Sequence, residues 1–130
     1  MRLMALALLL GAACALQGQI RPPEMTGGVA NCRWWETASS DMRMGFILGY
    51  YGGAASSKEV MEAIQTAASP EEIVRRVGAY CGAPLNGSIP LPMIVMIWVR
   101  VSRGASDADT QAALEWARRG AAKREERGNK

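Results

Sequence analysis

The chain contains no histidine, and this absence removes the commonest catalytic and metal-binding chemistry. Without an imidazole there is no Ser-His-Asp triad, no Cys-His pair and no metal site with a histidine ligand. Lysine is also scarce, and no lysine stands beside a convincing nucleophile. The adjacent carboxylates Glu71 and Glu72 point in different directions on a helix, and helix capping accounts for both. We therefore expect no catalytic residue, no metal and no cofactor, with a hydrolase as the enzyme alternative.

Strong charge of one sign and long apolar runs are missing as well. The formal net charge of the 130 residues is +3, which is too small to predict nucleic-acid binding. Charged residues make up 21% and hydrophobic residues 49%, an ordinary balance for one globular domain. Together with the missing catalytic groups, this composition favours a small protein that acts by binding another protein.

The first 15 residues are typical of an export signal. Arg2 supplies a positive start, Leu3 to Leu10 is an apolar run too short to span a bilayer, and Ala13-Cys14-Ala15 matches the small-x-small cleavage pattern. We expect residues 1–15 to be removed and the mature protein to lie in the periplasm. In one alternative Cys14 carries a lipid, which would hold the protein on a membrane. In another the segment is an uncleaved anchor.

Cleavage would leave two cysteines, Cys32 and Cys81, in an exported chain. An even count in this setting predicts a disulfide. Closing a loop of about 50 residues would stabilise the fold by roughly 4 kcal/mol in the chain-entropy treatment. Two buried free thiols are the alternative.

Glycine, proline and charge divide the rest of the chain. Residues 16–30 are rich in glycine and proline and poor in apolar side chains, which predicts a flexible leader. Residues 31–117 are expected to form a single all-α domain, a small helical bundle with one disulfide. Residues 118–130 are expected to be a charged C-terminal tail. This tail is interpreted either as a solvated helix face or as a contact with acidic lipid head groups or with a partner.

Capping residues predict where the helices begin. In the strongest signal, Ser69 is the N-cap, Pro70 takes the first helical position and Glu72 completes a capping box. Weaker signals predict helices that start at Asn31, at Ser39 or Ser40, within 57–68, near Pro90 and at Ser106. The last helix should pack weakly, because its two large apolar residues, Leu114 and Trp116, do not share a face.

Three glycines, Gly45, Gly49 and Gly53, fall four residues apart in the second predicted helix. They lie on one stripe, which favours close approach of a neighbouring helix. Alternatively, the helix simply ends at the glycine pair 52–53.

Adjacent tryptophans provide the candidate partner-binding surface. One helix cannot turn both Trp34 and Trp35 toward the same core, so we predict that one of them joins Tyr50 or Tyr51 in a partner-binding patch. The alternative is that both tryptophans wrap around the first helix and shield the disulfide.

Three motifs resemble the pattern of HdeA-type small periplasmic proteins: Cys32-Arg33-Trp34-Trp35, Gly45-Phe46-Ile47-Leu48-Gly49-Tyr50 and Val77-Gly78-Ala79-Tyr80-Cys81. The resemblance covers about half the chain, and its motifs are short. It implies a helical periplasmic protein in which a disulfide spans a similar distance, in some cases an acid-activated chaperone for unfolding clients.

The proline-then-apolar stretch from Ile89 to Val95 is similar to the Tai-type immunity proteins of type VI secretion, although this chain lacks their terminal cysteine. The functional alternatives to a chaperone are therefore an immunity protein that neutralises a toxin and a structural envelope protein.

Overall fold

The computed structural model describes residues 22–54, 57–58, 61–62 and 69–128, without the side chains of residues 22, 51 and 54. The predicted signal peptide, Cys14 and the leader up to residue 21 lie outside this part of the chain. Most of the short helix predicted over 57–68 lies outside it too. Of the residues described there, 58 and 61–62 are helical, and the Met61 amide donates a hydrogen bond to the Ser57 carbonyl.

The described chain consists of five helices and a small β-hairpin, which confirms the predicted all-α class. The strands are β1 (Met25–Thr26) and β2 (Val29–Ala30), and the helices are α1 (Cys32–Thr37), α2 (Ser40–Ala54), α3 (Pro70–Cys81), α4 (Leu91–Ser102) and α5 (Asp107–Gly128). The strands pair in antiparallel fashion, and 3-10 turns precede β1 and α4. None of the helices described is both long and apolar enough to cross a bilayer.

Side-chain caps start four of the five helices. The predicted N-cap residues are the observed ones: Asn31 for α1, Ser39 for α2, Ser69 for α3 and Ser106 for α5. In each case the side-chain oxygen accepts a hydrogen bond from the amide three residues later, at 3.1 to 3.2 Å. Each bond satisfies an amide that has no partner within its own helix, so local sequence sets these boundaries.

Glu72 is used differently from the capping box that the sequence predicts. Its carboxylate accepts hydrogen bonds from Arg75 and Arg76, which lie on the same face of α3, at 2.6 to 2.8 Å. The bond from Arg75, followed by that from Arg76, lowers the pKa of Glu72 from 4.5 to about 2. This carboxylate therefore stays ionised until the solution is strongly acidic.

The Cys32–Cys81 disulfide confirms the pairing predicted from the cysteine count. It joins the first residue of α1 to the last residue of α3, with the Cα atoms 4.9 Å apart, and both cysteines are buried. The surrounding core is formed by apolar side chains of α3 and α4, among them Ile73, Val77, Ile94, Val95 and Trp98. Burying each of these side chains contributes about 1.5–3 kcal/mol, so the core and the crosslink act together.

Both tryptophans of α1 belong to this core. Trp35 is 1% exposed and Trp34 is 7% exposed. Phe46 of α2 packs against the pair, with ring centroids 5.9 Å from Trp34 and 6.3 Å from Trp35, and Tyr50 stacks on the far side of Phe46. α3 and Trp35 pack closely at Gly78, where a β-carbon would lie in ordinary van der Waals contact, 3.5 Å from the indole nitrogen. The aromatic residues thus attach α2 to the disulfide-linked helices.

Residues 22–30 are structured, which corrects the prediction that a flexible leader extends to residue 30. The buried Asn31 side chain donates hydrogen bonds to the Pro23 carbonyl and to Thr26 Oγ1, each at 3.1 Å. Thr26 is buried as well, and its hydroxyl donates to the Ser88 carbonyl at 2.6 Å. The glycines at 27–28 adopt φ angles of 59° and 79° and form the tight hairpin turn. Long-range polar contacts, which composition does not reveal, hold this segment in place.

The last helix continues to Gly128, which corrects the prediction of a domain that ends at residue 117 and a tail beyond it. Leu114, Ala117 and Ala121 form its buried stripe, at the spacing of one helical face. Arg118 Nε donates to Asn86 Oδ1 at 2.8 Å and connects α5 to the turn before α4. The helix packs closely through alanines, which carry little periodic signal in the sequence.

The glycine stripe of α2 does not contact a neighbouring helix in the described part of the chain. A β-carbon placed on Gly45, Gly49 or Gly53 would meet no atom within 4 Å. Among the described residues, therefore, none approaches this stripe closely, and close helix approach stays a prediction.

Candidate protein-binding groove

An apolar groove lies between α4 and α5, with the β-hairpin beside it. Its volume is about 410 Å³, which is within the range of ligand pockets. Pro92, Met93 and Met96 line the α4 side, and Trp116 lines the α5 side. Val29 of the hairpin also lines the groove. The groove is therefore formed by α4, α5 and the β-hairpin. The sequence analysis predicted neither the hairpin nor the full length of α5.

The walls of the groove are exposed while its floor is buried. Ile97 and Ala117 form the floor and belong to the core. Trp116 is 65% exposed, and Met96 and Val29 are also exposed. An apolar surface of this kind, open to water and shaped as a groove, is typical of a site that binds another molecule. Tryptophan is the residue type most enriched at the energetic centre of protein interfaces.

Two arginines flank the apolar surface. Arg100 of α4 and Arg124 of α5 both line the groove and are both exposed. Neither guanidinium forms a hydrogen bond or an ion pair with another residue of the described ranges. Arg100 nevertheless lies close enough to Asp109 to lower the pKa of that carboxyl, after the larger effect of hydrogen bonds from Ser106. Both positive charges remain available to a ligand.

A polar depression adjoins the groove on the other side of Arg124. It contains the ion pair between Arg33 Nη1 and Glu125 Oε1, at 3.0 Å, and Arg33 Nη2 also donates to Ser88 Oγ at 2.6 Å. Hydrogen bonds from Ser88 and then from Arg33 lower the pKa of Glu125, although partial burial opposes them. This contact fastens the end of α5 to α1 and helps to hold the groove wall.

Of the predicted partner-binding residues, the three whose side chains the structure describes, Trp34, Trp35 and Tyr50, do not line this groove. Trp34 and Trp35 are buried in the core cluster that also contains Cys32 and Cys81. Tyr50 is half-buried against Phe46, and burial raises the pKa of its hydroxyl. The Tyr51 side chain lies outside the described residues. A binding role for these four residues stays a prediction, and for the two tryptophans it would require the core to open.

Sequence reasoning missed Trp116 and Met96 as exposed apolar residues. One signal for Trp116 was present: it lies two residues from Leu114, so the two side chains cannot share a face. Once Leu114 enters the core, Trp116 must point elsewhere. No pattern in the sequence indicated that the hairpin would line the groove.

The chemistry available in the groove is apolar contact and positive charge. Within the described ranges, no group of three or more acidic, cysteine or histidine side chains is placed to hold a metal ion. Comparison with protein-family models, with curated protein sequences and with solved structures found no match.

Proposed function

We propose that this chain is an exported protein that acts by binding another protein through the groove between α4 and α5, as a chaperone of HdeA-like type. The observation that carries the proposal is Trp116, which stands 65% exposed over an apolar groove with an arginine at either side. The buried Cys32–Cys81 disulfide supports an oxidising compartment such as the periplasm.

Two methionines favour a chaperone that accepts several clients. Met93 and Met96 lie side by side along the groove. Methionine is unbranched and polarisable, so a surface rich in it adapts to apolar side chains of different shapes. Unfolding proteins expose such side chains without a fixed arrangement, and an adaptable groove would hold them.

Acid would act on the groove through Glu125. The Arg33–Glu125 ion pair joins α1 to the end of α5, two elements that are distant in sequence. The folded-state pKa of Glu125 is lowered, so this contact is intact above the ordinary carboxyl pKa and is lost as the pH falls through the folded value. Protonation would then remove one of the contacts that hold the end of α5 to α1, which favours wider exposure of the apolar surface.

The test compares Trp116→Ala with Leu85→Ala in an aggregation assay. Leu85 is a matched control, because it is 77% exposed and does not line the groove. We expect the wild type and Leu85→Ala to suppress aggregation of an acid-unfolded client, and Trp116→Ala to lose most of this protection. A hydrophobic dye titrated from about pH 7 to about pH 2 should bind more strongly as the pH falls. No dye binding and no protection at any pH would refute the chaperone proposal.

An immunity protein is the second candidate. A tryptophan beside arginines is the usual composition of an interface hot spot for a single partner, and Trp116 with Arg100 and Arg124 has that composition. If so, the wild type should form a stable complex with one toxin at neutral pH and show no general protection of clients. Trp116→Ala should weaken that complex, whereas Leu85→Ala should not.

A further inference from the structure

The two groove arginines stand far apart along the same surface. α4 and α5 are joined by the four residues 103–106, and such a short connection makes the helices antiparallel neighbours. The contact between Asn86, before α4, and Arg118, late in α5, agrees with this arrangement. Arg100 therefore lies near the beginning of α5, where it lines a small depression with Ala113. Arg124 lies near the other end of α5.

Their separation follows from helix geometry. Ala113 and Arg124 are eleven residues apart in the continuous helix α5. At a rise of 1.5 Å per residue this is about 16 Å, or three helical turns. The apolar walls formed by Met93, Met96 and Trp116 lie between the two charges. The groove is thus an apolar strip with an arginine at each end, and neither arginine forms an ion pair within the described ranges.

We propose that the groove binds an amphipathic helical segment of the partner, apolar on one face, with two carboxylates about three turns apart. This inference rests on the proposed protein-binding function and specifies its partner. Two antiparallel helices form the trough in which a third helix can place its apolar face. A carboxylate at each end would meet Arg100 and Arg124, which find no ion-pair partner among the described residues.

A single-headed lipid complements this site less well. It brings one anionic group, so one of the two arginines would be left without a partner. It would also leave Trp116 largely in water, because the apolar walls are open on the side away from the floor. A peptide helix covers a wider strip and supplies charges at both ends.

The experiment uses two synthetic helical peptides that differ only at the two acidic positions. Both carry the same leucine face; one has Glu at two positions eleven residues apart, and the other has Gln there. Binding of each labelled peptide is measured by fluorescence anisotropy to the full exported chain and to Arg100→Gln, Arg124→Gln and the double variant. Arg119→Gln is the control for loss of one positive charge on α5, because Arg119 is exposed and lies outside the groove, where it pairs with Glu115 at 3.8 Å.

We expect the wild type to bind the Glu peptide about three- to tenfold more tightly than the Gln peptide, as two exposed ion pairs would give. Each groove variant should lose part of this preference and the double variant all of it, with binding of the Gln peptide unchanged. Arg119→Gln should keep the full preference. High salt should abolish the preference in the wild type.

Equal affinity of the wild type for both peptides would overturn the inference. If Trp116→Ala still weakened the binding of both peptides in that case, the groove would remain the binding site and the proposed function would stand. Failure of both peptides to bind would overturn the inference on helical partners. Stronger, arginine-dependent binding to vesicles of anionic phospholipid would overturn it in favour of a lipid surface.

Discussion

Replacing Asn31 by alanine should destabilise the fold by about 2–3 kcal/mol. Its Oδ1 accepts the Trp34 amide at the start of α1, and its Nδ2 donates to the Pro23 carbonyl and Thr26 Oγ1. Loss of an N-cap costs about 1 kcal/mol, and each lost neutral hydrogen bond costs about as much. The total loss of stability should lie near the lower limit of this range, because both groups keep a second hydrogen-bond partner. Arg33 still donates to the Pro23 carbonyl, and Thr26 still donates to the Ser88 carbonyl.

Asn31→Ser separates the two roles of this side chain. Serine can still cap α1, but it lacks the amide group that donates to the Pro23 carbonyl and to Thr26. The hairpin therefore loses these two hydrogen bonds, while the first turn of the helix keeps its cap. We expect a loss of about 1–2 kcal/mol, measured as the free energy of unfolding in urea. Amide hydrogen exchange should increase in the hairpin for both variants and at Trp34 only for Asn31→Ala.

Two results would refute this reasoning. A loss below about 1 kcal/mol for Asn31→Ala would mean that its three hydrogen bonds contribute little to stability. Equal losses for alanine and serine would mean that the cap is unimportant. Thr26→Val provides an independent check, because it removes the hairpin hydroxyl and leaves Asn31 and its cap in place.

Three further predictions concern other contacts. Ser69→Ala should cost about 1 kcal/mol and lower the denaturation midpoint, because the first turn of α3 loses its side-chain cap. Intact mass of periplasmic material should show the loss of residues 1–15 and no alkylatable thiol at Cys32 or Cys81 before reduction, and reduction should cost roughly 4 kcal/mol. Glu125→Gln should remove the ion pair to Arg33 and cost less than about 1 kcal/mol at neutral pH. Because the pKa of Glu125 is lowered, the gap to wild type should close as the pH falls through that value.

Local signals in the sequence predicted the helix starts and the disulfide. The N-caps at Asn31, Ser39, Ser69 and Ser106 depend on a side chain and an amide three residues away, so they can be predicted from the local sequence. The Cys32–Cys81 pairing was predicted from the two cysteines that remain once Cys14 is assigned to the predicted signal peptide.

The hairpin and the length of α5 were not predictable in the same way. Thr26 is held by the Ser88 carbonyl, which lies 62 residues away in the chain. α5 is buried through Ala117 and Ala121, whose small side chains give no amphipathic pattern among the surrounding charges. The groove combines both of these elements, so a search for large apolar residues at regular spacing could not locate it.

The Cys32–Cys81 bond divides the molecule topologically into a covalent ring and two tails. The ring contains α1, α2 and α3, whereas the groove is formed by the hairpin before Cys32 and by α4 and α5 after Cys81. A peptide bond cut anywhere inside the ring would leave the two fragments joined, with both groove-bearing tails still attached. Mutations inside the ring would then alter chiefly the rigidity of the scaffold. If the groove binds a partner as proposed, mutations in the tails would alter which partner is bound, while the crosslinked scaffold would stay the same.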